Sequence, residues 1–232
     1  MRIDRLLRLI GGRCQACGDP LDNEGLTCGS CRAALAPRTA GYCSGCGHLY
    51  ADALAEPYAC GRCRTTPMPW DDFAFYGPYD GLLGDLIREY KFNSRLGLTG
   101  LLSSLLFDAA GRAGLRAELL VPVPLHGKRL RERGFNQSLE LSRLTAKKLG
   151  AGLEPKALGR TRFTTPQVRL KAAERRNNVK GAFAAEPKLV RGKSILLVDD
   201  IMTTGGTLLE CCKVLKKSGA ARVAAIVLAR TE

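Results

Sequence analysis

The chain has 232 residues, 45% of them hydrophobic and 25% charged, and 36 lysines and arginines against 22 acidic residues give a net charge of +14. This composition is typical of a soluble globular protein. No apolar stretch approaches the roughly 20 residues that span a bilayer, so we expect no membrane insertion. The basic excess favours a polyanionic partner, which would be a phosphorylated small molecule, a nucleic acid or both.

The chain begins with MRIDRLLRLIGGR, in which arginines interrupt the apolar run. This is not the pattern of a secretory signal. Ile3, Leu6, Leu7 and Ile10 recur at helical spacing and predict a short amphipathic helix. Without a secretory signal, we expect a cytoplasmic protein in a reducing environment, where paired thiols favour metal over disulfides.

Four Cys-x-x-Cys pairs occupy the first 63 residues. Two intervening residues let one tight turn aim both thiolates at one ion, and two such turns complete a tetrahedral four-sulfur site that suits zinc. We predict two structural zinc ions, because a segment with so few large apolar residues needs metal in order to fold. The predicted ligands are Cys14, Cys17, Cys28, Cys31, Cys43, Cys46, Cys60 and Cys63.

The order of these pairs favours two consecutive zinc ribbons, one formed by the first two pairs and one by the last two. An interleaved arrangement would use the same thiols, and the sequence does not decide between the two. His48 is a weaker candidate ligand, because the set of cysteines is already complete. The proline-containing segment Arg64–Trp70 marks a boundary, so we predict a double zinc-ribbon module at 1–67 and a second domain at 68–232.

The second domain begins with DDFAFYGPYDG, in which aromatic and polar residues flank Gly-Pro and predict a hairpin. The stretches LLGDLIREYKF and LTGLLSSLLFDAAGRAG follow and predict two helices.

Three apolar runs then predict strands at Glu118–Pro124, Ser194–Asp200 and Arg222–Arg230. The stretches QSLELSRLTAKKLG and TLLECCKVLKKSG, which lie between these strands, predict helices. Strands that are apolar on both faces and alternate with amphipathic helices predict an α/β fold, with a parallel sheet that helices cover on both sides.

The basic excess is concentrated between Pro122 and Lys180, where 15 basic and 4 acidic residues give a net charge of +11. This concentration favours a binding surface for a polyanion. The alternative is an ordinary solvated surface.

The strand at Ser194–Asp200 ends in Asp199 and Asp200, and the polar turn TTGGT follows. Ligands of parallel sheets bind beyond the carboxyl ends of the strands. Two carboxylates there can accept hydrogen bonds from vicinal hydroxyls or approach a magnesium ion. The glycines let backbone amides point at a bound group, and the next helix presents its positive N-terminus. This combination suits a ribose 5-phosphate. The alternative is a strand-to-helix turn with capping threonines, but adjacent buried acids are costly without a partner.

The string VDDIMTTGGT resembles the phosphoribosyl-diphosphate (PRPP) signature of type I phosphoribosyltransferases. VPVPLHGKRLRERGFNQS, QVRLKAAERRNNVKGAF and the cysteine-rich front resemble the ComF family of competence-associated proteins and its gluconate-utilisation relative GntX. The resemblance covers nearly the whole chain. It implies a type I phosphoribosyltransferase-like second domain that binds PRPP with Mg²⁺ and acts in DNA uptake and natural transformation.

The resemblance also implies residue roles. Asp199 and Asp200 would hold the ribose hydroxyls as the catalytic pair, and the 5-phosphate would bind Thr203, Thr204, Gly205, Gly206 and Thr207. The turn Leu125–Arg129 would match the pyrophosphate loop. The basic groove that stabilises the pyrophosphate would comprise Lys128, Arg129, Arg131, Arg133, Asn136, Gln137 and Arg175. Lys91 matches a position near the floor of the site, and Arg160 falls in the hood above it.

Two functions follow from this resemblance. The first is Mg²⁺-dependent transfer of a ribosyl 5-phosphate from PRPP, for which His126 is a weak candidate base. The alternative is a non-catalytic single-stranded DNA-binding competence factor that uses the basic groove, although few aromatic residues there can stack on bases. A third function, docking of helicase or DNA-uptake proteins through the ribbons, has the least support from the residues.

Overall fold

The computed structural model describes residues 12–21, 25–163 and 178–231. The predicted N-terminal helix, with Ile3 and Ile10, and the predicted groove residue Arg175 lie outside these ranges. Within them, no helix combines the length and the hydropathy that a membrane crossing requires.

The cysteine-rich front of the chain contains two short helices, α1 (Gly29–Ala34) and α2 (Gly61–Thr65). Each helix begins directly after the first cysteine of a Cys-x-x-Cys pair, and Cys28 and Cys60 are the two N-caps. Amides at a helix N-terminus favour a nearby thiolate, so this geometry suits cysteines that bind metal.

The second part of the chain is built on a five-stranded sheet in which every pairing is parallel. Its members are β1 (Asp72–Pro78), β2 (Leu119–Pro122), β3 (Gly152–Leu153), β6 (Ser194–Met202) and β7 (Arg222–Arg230). Their order across the sheet is β1-β7-β6-β2-β3. The sheet confirms the predicted α/β class and the three predicted strands, and it adds two edge strands.

The hairpin predicted in DDFAFYGPYDG is wrong, because this segment forms the single edge strand β1. The strand pairs in parallel with β7, with Phe75 opposite Val227 and Pro78 opposite Arg230. Gly-Pro therefore marks the end of a strand rather than a tight turn. Proline is tolerated there because an edge strand has no ladder partner on its outer side.

Helices cover both faces of the sheet, and the four helices predicted in the second domain are all present. A small antiparallel pair, β4 (Leu158–Arg160) with β5 (Phe183–Ala185), lies outside the main sheet. The helices are α3 (Gly81–Phe92), α4 (Thr99–Arg112), α5 (Gly127–Arg133), α6 (Gln137–Leu149), α7 (Pro187–Val190) and α8 (Gly206–Lys217), with a 3₁₀ turn at Leu96–Leu98.

The sheet has one apolar core on each face, because alternate side chains of a strand point in opposite directions. On β6, Leu196 and Val198 belong to the first core, while Ile195 and Leu197 belong to the second. All four are buried, so the strand is apolar on both faces as a central parallel strand should be.

The cysteine-rich front packs against both cores. Cys14 and Cys31 are part of the first core, whereas Tyr42 and Leu49 pack against the second. The two halves of the front therefore lie on opposite faces of the sheet. The domain boundary within Arg64–Trp70 stays a prediction.

Candidate ligand-binding cleft and metal sites

A cleft of about 320 Å³ opens beyond the carboxyl ends of β2 and β6. This is the edge of a parallel sheet where ligands bind, and the volume lies at the lower end of the range for small-molecule sites. Carboxylates and cations from separate parts of the chain meet in this cleft. Its charged residues are Lys91, Arg129, Arg133, Arg160, Asp199 and Asp200.

Asp199 lines the cleft and is held in place by two hydrogen bonds to its Oδ1 atom. The Ser138 hydroxyl donates one at 2.9 Å, and the backbone N–H of Asp200 donates the other at 2.9 Å. Burial and the neighbouring charge of Asp200 raise the pKa of Asp199 from 3.8 to about 7. The carboxyl group therefore changes its charge near neutral pH, where it can respond to a ligand.

Asp200 is only 6% exposed and forms an ion pair with Lys91. The Lys91 Nζ atom lies 2.8 Å from Oδ2 and 3.1 Å from Oδ1 of Asp200. The backbone N–H of Ile201 also donates to Oδ1 at 2.9 Å. Lys91 lies in the last turn of α3, so this ion pair connects α3 to the end of β6.

The turn after β6 joins the strand to α8. Gly205 has the left-handed φ of +77°, and α8 begins at the next residue. Thr203 and Thr207 line the cleft, whereas Gly205 and Gly206 are buried beneath it. The Thr204 Oγ1 atom is shielded from solvent and has no hydrogen-bond partner among the described residues. Amides of a helix N-terminus and hydroxyl donors together form a site suited to phosphate.

A second part of the lining, which we call the basic wall, comes from α5 and β4. Arg129 and Arg133 come from α5, and Arg160 comes from β4. The Arg133 guanidinium lies 5.8 Å from the centroid of the Phe92 ring, and that of Arg160 lies 5.2 Å from the Phe183 ring. Burial lowers the pKa of Arg133 and of Arg160, and the charge of Arg129 lowers both further, while the carboxylates at the end of β6 oppose part of this effect. Clustered cations that repel each other favour an anion between them.

Not all of the predicted groove residues line this cleft. Lys128 and Arg131 are exposed and are not among the residues that line it, and Lys128 lies 5.0 Å above the Phe163 ring. Asn136 instead caps α6, accepting a hydrogen bond from the Ser138 amide at 3.1 Å and donating one to the Val123 carbonyl at 3.1 Å. It holds the loop before α6 in place.

Gln137 does line the cleft. Its side chain is 2% exposed, and its Nε2 atom has no hydrogen-bond partner among the described residues. A buried donor without an acceptor costs free energy, so it is a natural contact for a ligand oxygen.

The cleft is also lined by Lys91, Ser138 and Arg160, which were not in the predicted set. The resemblance names Lys91 and Arg160 without assigning them to the groove. Ser138 directly follows the predicted Gln137 in the string RGFNQS, and its place at the start of α6 is the only sequence signal for it.

The eight front cysteines form two compact tetrads. Within each, the sulfur atoms all lie within 4.8 Å of one another. The grouping is consecutive and not interleaved, with tetrad A formed by Cys14, Cys17, Cys28 and Cys31 and tetrad B formed by Cys43, Cys46, Cys60 and Cys63.

The dimensions of both tetrads fit zinc. Four sulfurs bound tetrahedrally to zinc at about 2.3 Å are roughly 3.8 Å apart. The Cys17–Cys28 sulfur distance is 3.8 Å in tetrad A, and the Cys46–Cys60 distance is 3.9 Å in tetrad B. His48 is exposed and belongs to neither group in the part of the chain that the structure describes.

Local amides also prepare a thiolate in each tetrad. Burial opposes ionisation of Cys43, but hydrogen bonds from backbone amides outweigh it and lower the pKa to about 6. One such bond runs from the Cys60 amide to the Cys43 sulfur at 3.2 Å. In tetrad A the pKa of Cys14 is likewise lowered to about 6, against the effect of burial, by the amides of Cys17 and Cys28. Thiolates are the form that binds metal.

Comparison with known proteins gives a consistent result. Residues 139–232 match the phosphoribosyl transferase domain family. The chain is 35% identical over 229 residues to the DNA utilization protein YhgH of Escherichia coli O157:H7, covering 96% of this chain and 98% of that protein. It is 32% identical over 220 residues to Competence protein F of Haemophilus influenzae, covering 88% of this chain and 96% of that protein.

Among solved structures, the glutamine PRPP amidotransferase from B. subtilis, complexed with ADP and GMP, is similar to this chain with a TM-score of 0.44 and 20% identity. The match covers 61% of this chain and 30% of that one.

Proposed function

The chain belongs to the family of the DNA utilization protein YhgH and Competence protein F, and on that premise we propose that its cleft binds PRPP with Mg²⁺ in support of DNA uptake or use. In this proposal Asp199 and Asp200 hold the ribose hydroxyls. The turn at 203–207 holds the 5-phosphate, and Arg129 and Arg133 hold the pyrophosphate.

The observation that carries this proposal is the polarity of the cleft. Two carboxylates and the phosphate-type turn come from the end of β6, and three guanidinium groups come from α5 and β4. Few metabolites present a diol between two separate anionic groups, and PRPP does. The hydroxyls of its diol can donate hydrogen bonds to the carboxylates, while its two phosphate-bearing ends can lie at the helix N-terminus and at the arginines.

Hard oxygen donors are the ligands that Mg²⁺ prefers, and the Asp199 and Asp200 carboxylates are such donors next to the expected diol. The ion would neutralise part of the pyrophosphate charge. The arginines of the cleft would act on the same pyrophosphate, because cations aimed at a leaving group stabilise the negative charge that develops on it.

The described residues that line the cleft include no histidine. His126 lies outside it, where its Nδ1 atom accepts a hydrogen bond from the Lys128 amide at 3.2 Å and its ring contacts Phe163 at 5.2 Å. In this structure His126 is therefore not placed to act as a base in the cleft.

The test is calorimetric titration of the zinc-loaded protein with PRPP, with and without Mg²⁺. We expect one site per chain and binding that depends on Mg²⁺. Combined Asp199→Asn and Asp200→Asn substitutions should weaken binding at least tenfold, since each removes a charged hydrogen-bond acceptor worth about 1.5–3 kcal/mol.

The matched control replaces Asp85 and Asp108, two exposed carboxylates on α3 and α4, by asparagine. It changes the net charge by the same amount and should leave PRPP affinity unchanged. Binding that ignores Mg²⁺ and survives the Asp199 and Asp200 substitutions would overturn the proposal.

A second candidate function is the binding of single-stranded DNA, which one further observation favours. Phe92 and Phe163 are 62% and 43% exposed, and each has a cation above its ring, from Arg133 and Lys128 respectively. Exposed aromatic rings beside cations are the combination on which bases stack while phosphates bind nearby.

The dependence on salt separates the two functions. DNA affinity should fall steeply as salt rises, because binding releases counterions from the strand. Phe163→Ala should weaken DNA binding and leave PRPP binding intact, whereas the Asp199 and Asp200 substitutions should do the reverse. Equal loss of both ligands in both variants would mean that one site serves both functions.

A further inference from the structure

We propose that tetrad B sets the conformation of the phosphate-binding turn through Trp70 and Arg230, so that occupancy of this zinc site controls the affinity of the cleft. The proposal rests on the proposed function for its ligand, although the coupling itself can be measured without one. Trp70 and Arg230 are positioning residues in this account, because they act on the turn and not on the ligand.

The tight turn from Cys43 to Cys46 forms half of tetrad B, and we call it the knuckle. Trp70 connects this knuckle to Gly205. Its indole Nε1 atom donates a hydrogen bond to the Gly45 carbonyl at 2.8 Å, and the residue is 6% exposed. The ring packs beside the turn, with Cη2 3.8 Å from the point where a β carbon on Gly205 would lie. The knuckle therefore fixes the ring that supports the left-handed residue of the turn.

Arg230 makes a second connection between the same two segments. Its Nε atom donates to the Cys46 carbonyl at 3.2 Å, and its Nη1 atom donates to the Met202 carbonyl at 3.3 Å. Met202 is the last residue of β6, and it lies directly opposite Arg230 in the register with β7. A rigid guanidinium thus joins a zinc ligand to the residue before the turn.

The knuckle also rests on aromatic side chains of β1. A β carbon on Gly47, which has a φ of +65°, would lie 2.6 Å from Phe73 and 3.2 Å from Phe75, so only glycine fits this approach. The Tyr42 ring packs edge-on against Phe75 at 5.0 Å. Because these contacts are close, the position of the knuckle is transmitted to the second core.

A zinc ion in tetrad B would hold the knuckle closed. Cys43 and Cys46 would bind it together with Cys60 and Cys63, and without it each pair of thiolates would lose its common partner. The two carbonyls that receive Trp70 and Arg230 belong to Gly45 and Cys46, inside the knuckle itself. Loss of zinc from tetrad B should therefore relax the turn at 203–207.

Tetrad A provides an internal comparison, because its contacts with the second domain lie elsewhere. The Gln15 Oε1 atom accepts a hydrogen bond from the Leu101 amide of α4 at 3.1 Å, and the Tyr76 hydroxyl of β1 donates to the Leu35 carbonyl. Among the described residues, the hydrogen bonds of this half of the front do not reach the end of β6. Zinc at tetrad A should therefore stabilise the fold without affecting the turn.

The test measures hydrogen exchange of the amides at 203–208 and the affinity for Mg²⁺–PRPP in matched variants. Trp70→Phe and Arg230→Ala should keep two zinc ions per chain, speed exchange at the turn and weaken PRPP binding about fivefold, the effect of losing one hydrogen bond. Gln15→Ala, which removes the matching hydrogen bond of tetrad A, should change neither quantity.

Removal of zinc from tetrad B should increase amide exchange at the turn more than the Trp70 and Arg230 substitutions do. Cys46→Ser should release the zinc of tetrad B and speed exchange at the turn more than either positioning variant does. Cys17→Ser should release the zinc of tetrad A and leave the turn unchanged. Because coupling is reciprocal, Mg²⁺–PRPP should also slow the loss of zinc from tetrad B to a chelator, and not from tetrad A.

The inference is overturned if exchange at the turn is the same in Cys46→Ser, with one zinc lost, as in the wild type. The two proposals fail in different ways. Absence of PRPP binding in the wild type would refute the proposed ligand, while a response of the turn to tetrad B would still support the coupling.

Discussion

The two carboxylates at the end of β6, which we call the acidic wall, and the arginines of the basic wall are held in different ways. On the acidic wall, Asp199 and Asp200 are adjacent on one strand, and directional hydrogen bonds from Ser138 and from backbone amides fix their oxygens. On the basic wall, Arg133 lies over an aromatic ring, and no carboxylate of the described residues lies within 4.0 Å of Arg129 or Arg133.

This difference suggests that the two walls recognise different parts of the ligand. Fixed hydrogen-bond acceptors select shape, so the acidic wall suits the rigid diol of a ribose. Cations that are not fixed by carboxylates select charge, so the basic wall suits a pyrophosphate that can bind in several rotamers. Substitutions in the two walls should therefore have different consequences.

The largest effect is expected on the basic wall. Replacing both Arg129 and Arg133 by alanine should weaken PRPP binding about a hundredfold, since two charge-assisted contacts are lost. The affinity for ribose 5-phosphate, which has no pyrophosphate, should change much less. Calorimetry with both ligands measures the difference.

The matched control replaces Arg143 and Lys147, two exposed cations of α6, by alanine. It lowers the net charge equally and should leave both affinities unchanged. Equal losses for PRPP and ribose 5-phosphate in the Arg129 and Arg133 variant would contradict the assignment of the pyrophosphate to this wall.

Lys91→Ala should destabilise the acidic wall, because it removes the cation paired with Asp200. The carboxylates are then left without compensation, and we expect a loss of about 2 kcal/mol in the free energy of unfolding, below the value for a fully buried pair because Lys91 keeps some contact with solvent. Urea unfolding measures this loss.

Lys193→Ala is the control for that experiment. Lys193 pairs with Glu118 at 2.9 Å, but both side chains are about half exposed. Exposed pairs contribute at most about 1 kcal/mol, so this change should be small. If the two lysine variants lost the same stability, Asp200 would not depend on Lys91.

Asp199 should also make both the stability of the fold and the affinity for PRPP depend on pH. The pKa of Asp199 is raised from 3.8 to about 7, so the folded protein holds this proton more tightly than the unfolded chain does. Its contribution to stability is therefore present at low pH and is lost as the pH rises through 7. Ligand binding needs the carboxylate, so affinity should instead rise with pH, by up to about tenfold per pH unit below the pKa.

The difference between wild type and Asp199→Asn isolates this group, because other titrating residues are common to both. Unfolding free energies and PRPP affinities measured from pH 5 to pH 8 should diverge between the two proteins in opposite directions. Parallel curves would mean that Asp199 ionises at an ordinary pKa.

Gln137→Met is expected to have the smallest effect. The substitution removes a buried amide donor that has no partner among the described residues, so it should raise the free energy of unfolding by about 1 kcal/mol. PRPP affinity should fall a few fold if the donor faces the ligand. A variant that is less stable than the wild type would show that Gln137 is already satisfied in the free protein.

Local patterns predicted much of this molecule. The tetrads could be predicted because two residues between cysteines define a knuckle wherever it occurs. The carboxylates and glycines around Asp199 could be predicted because one strand and one turn contain all of them. The hairpin was wrong because Gly-Pro is compatible both with a turn and with the end of an edge strand, and only the pairing with β7 decides between them.

The basic wall was harder to predict because it depends on a helix that was expected to be a loop. Arg129 and Arg133 are four residues apart on α5 and so share one face, while Lys128 and Arg131 point elsewhere. Gly134, with the left-handed φ of +82° that ends α5, was the available signal for this helix. Lys91 and Arg160 reach the cleft from distant segments, and this proximity depends on tertiary packing alone.

The measurement that tests the central claim most directly is a crystal structure of the protein with Mg²⁺ and PRPP. The account predicts the 5-phosphate on the amides of 203–207, the ribose diol against Asp199 and Asp200, and the pyrophosphate between Arg129 and Arg133. A ligand bound in the reverse direction, or outside this cleft, would contradict it.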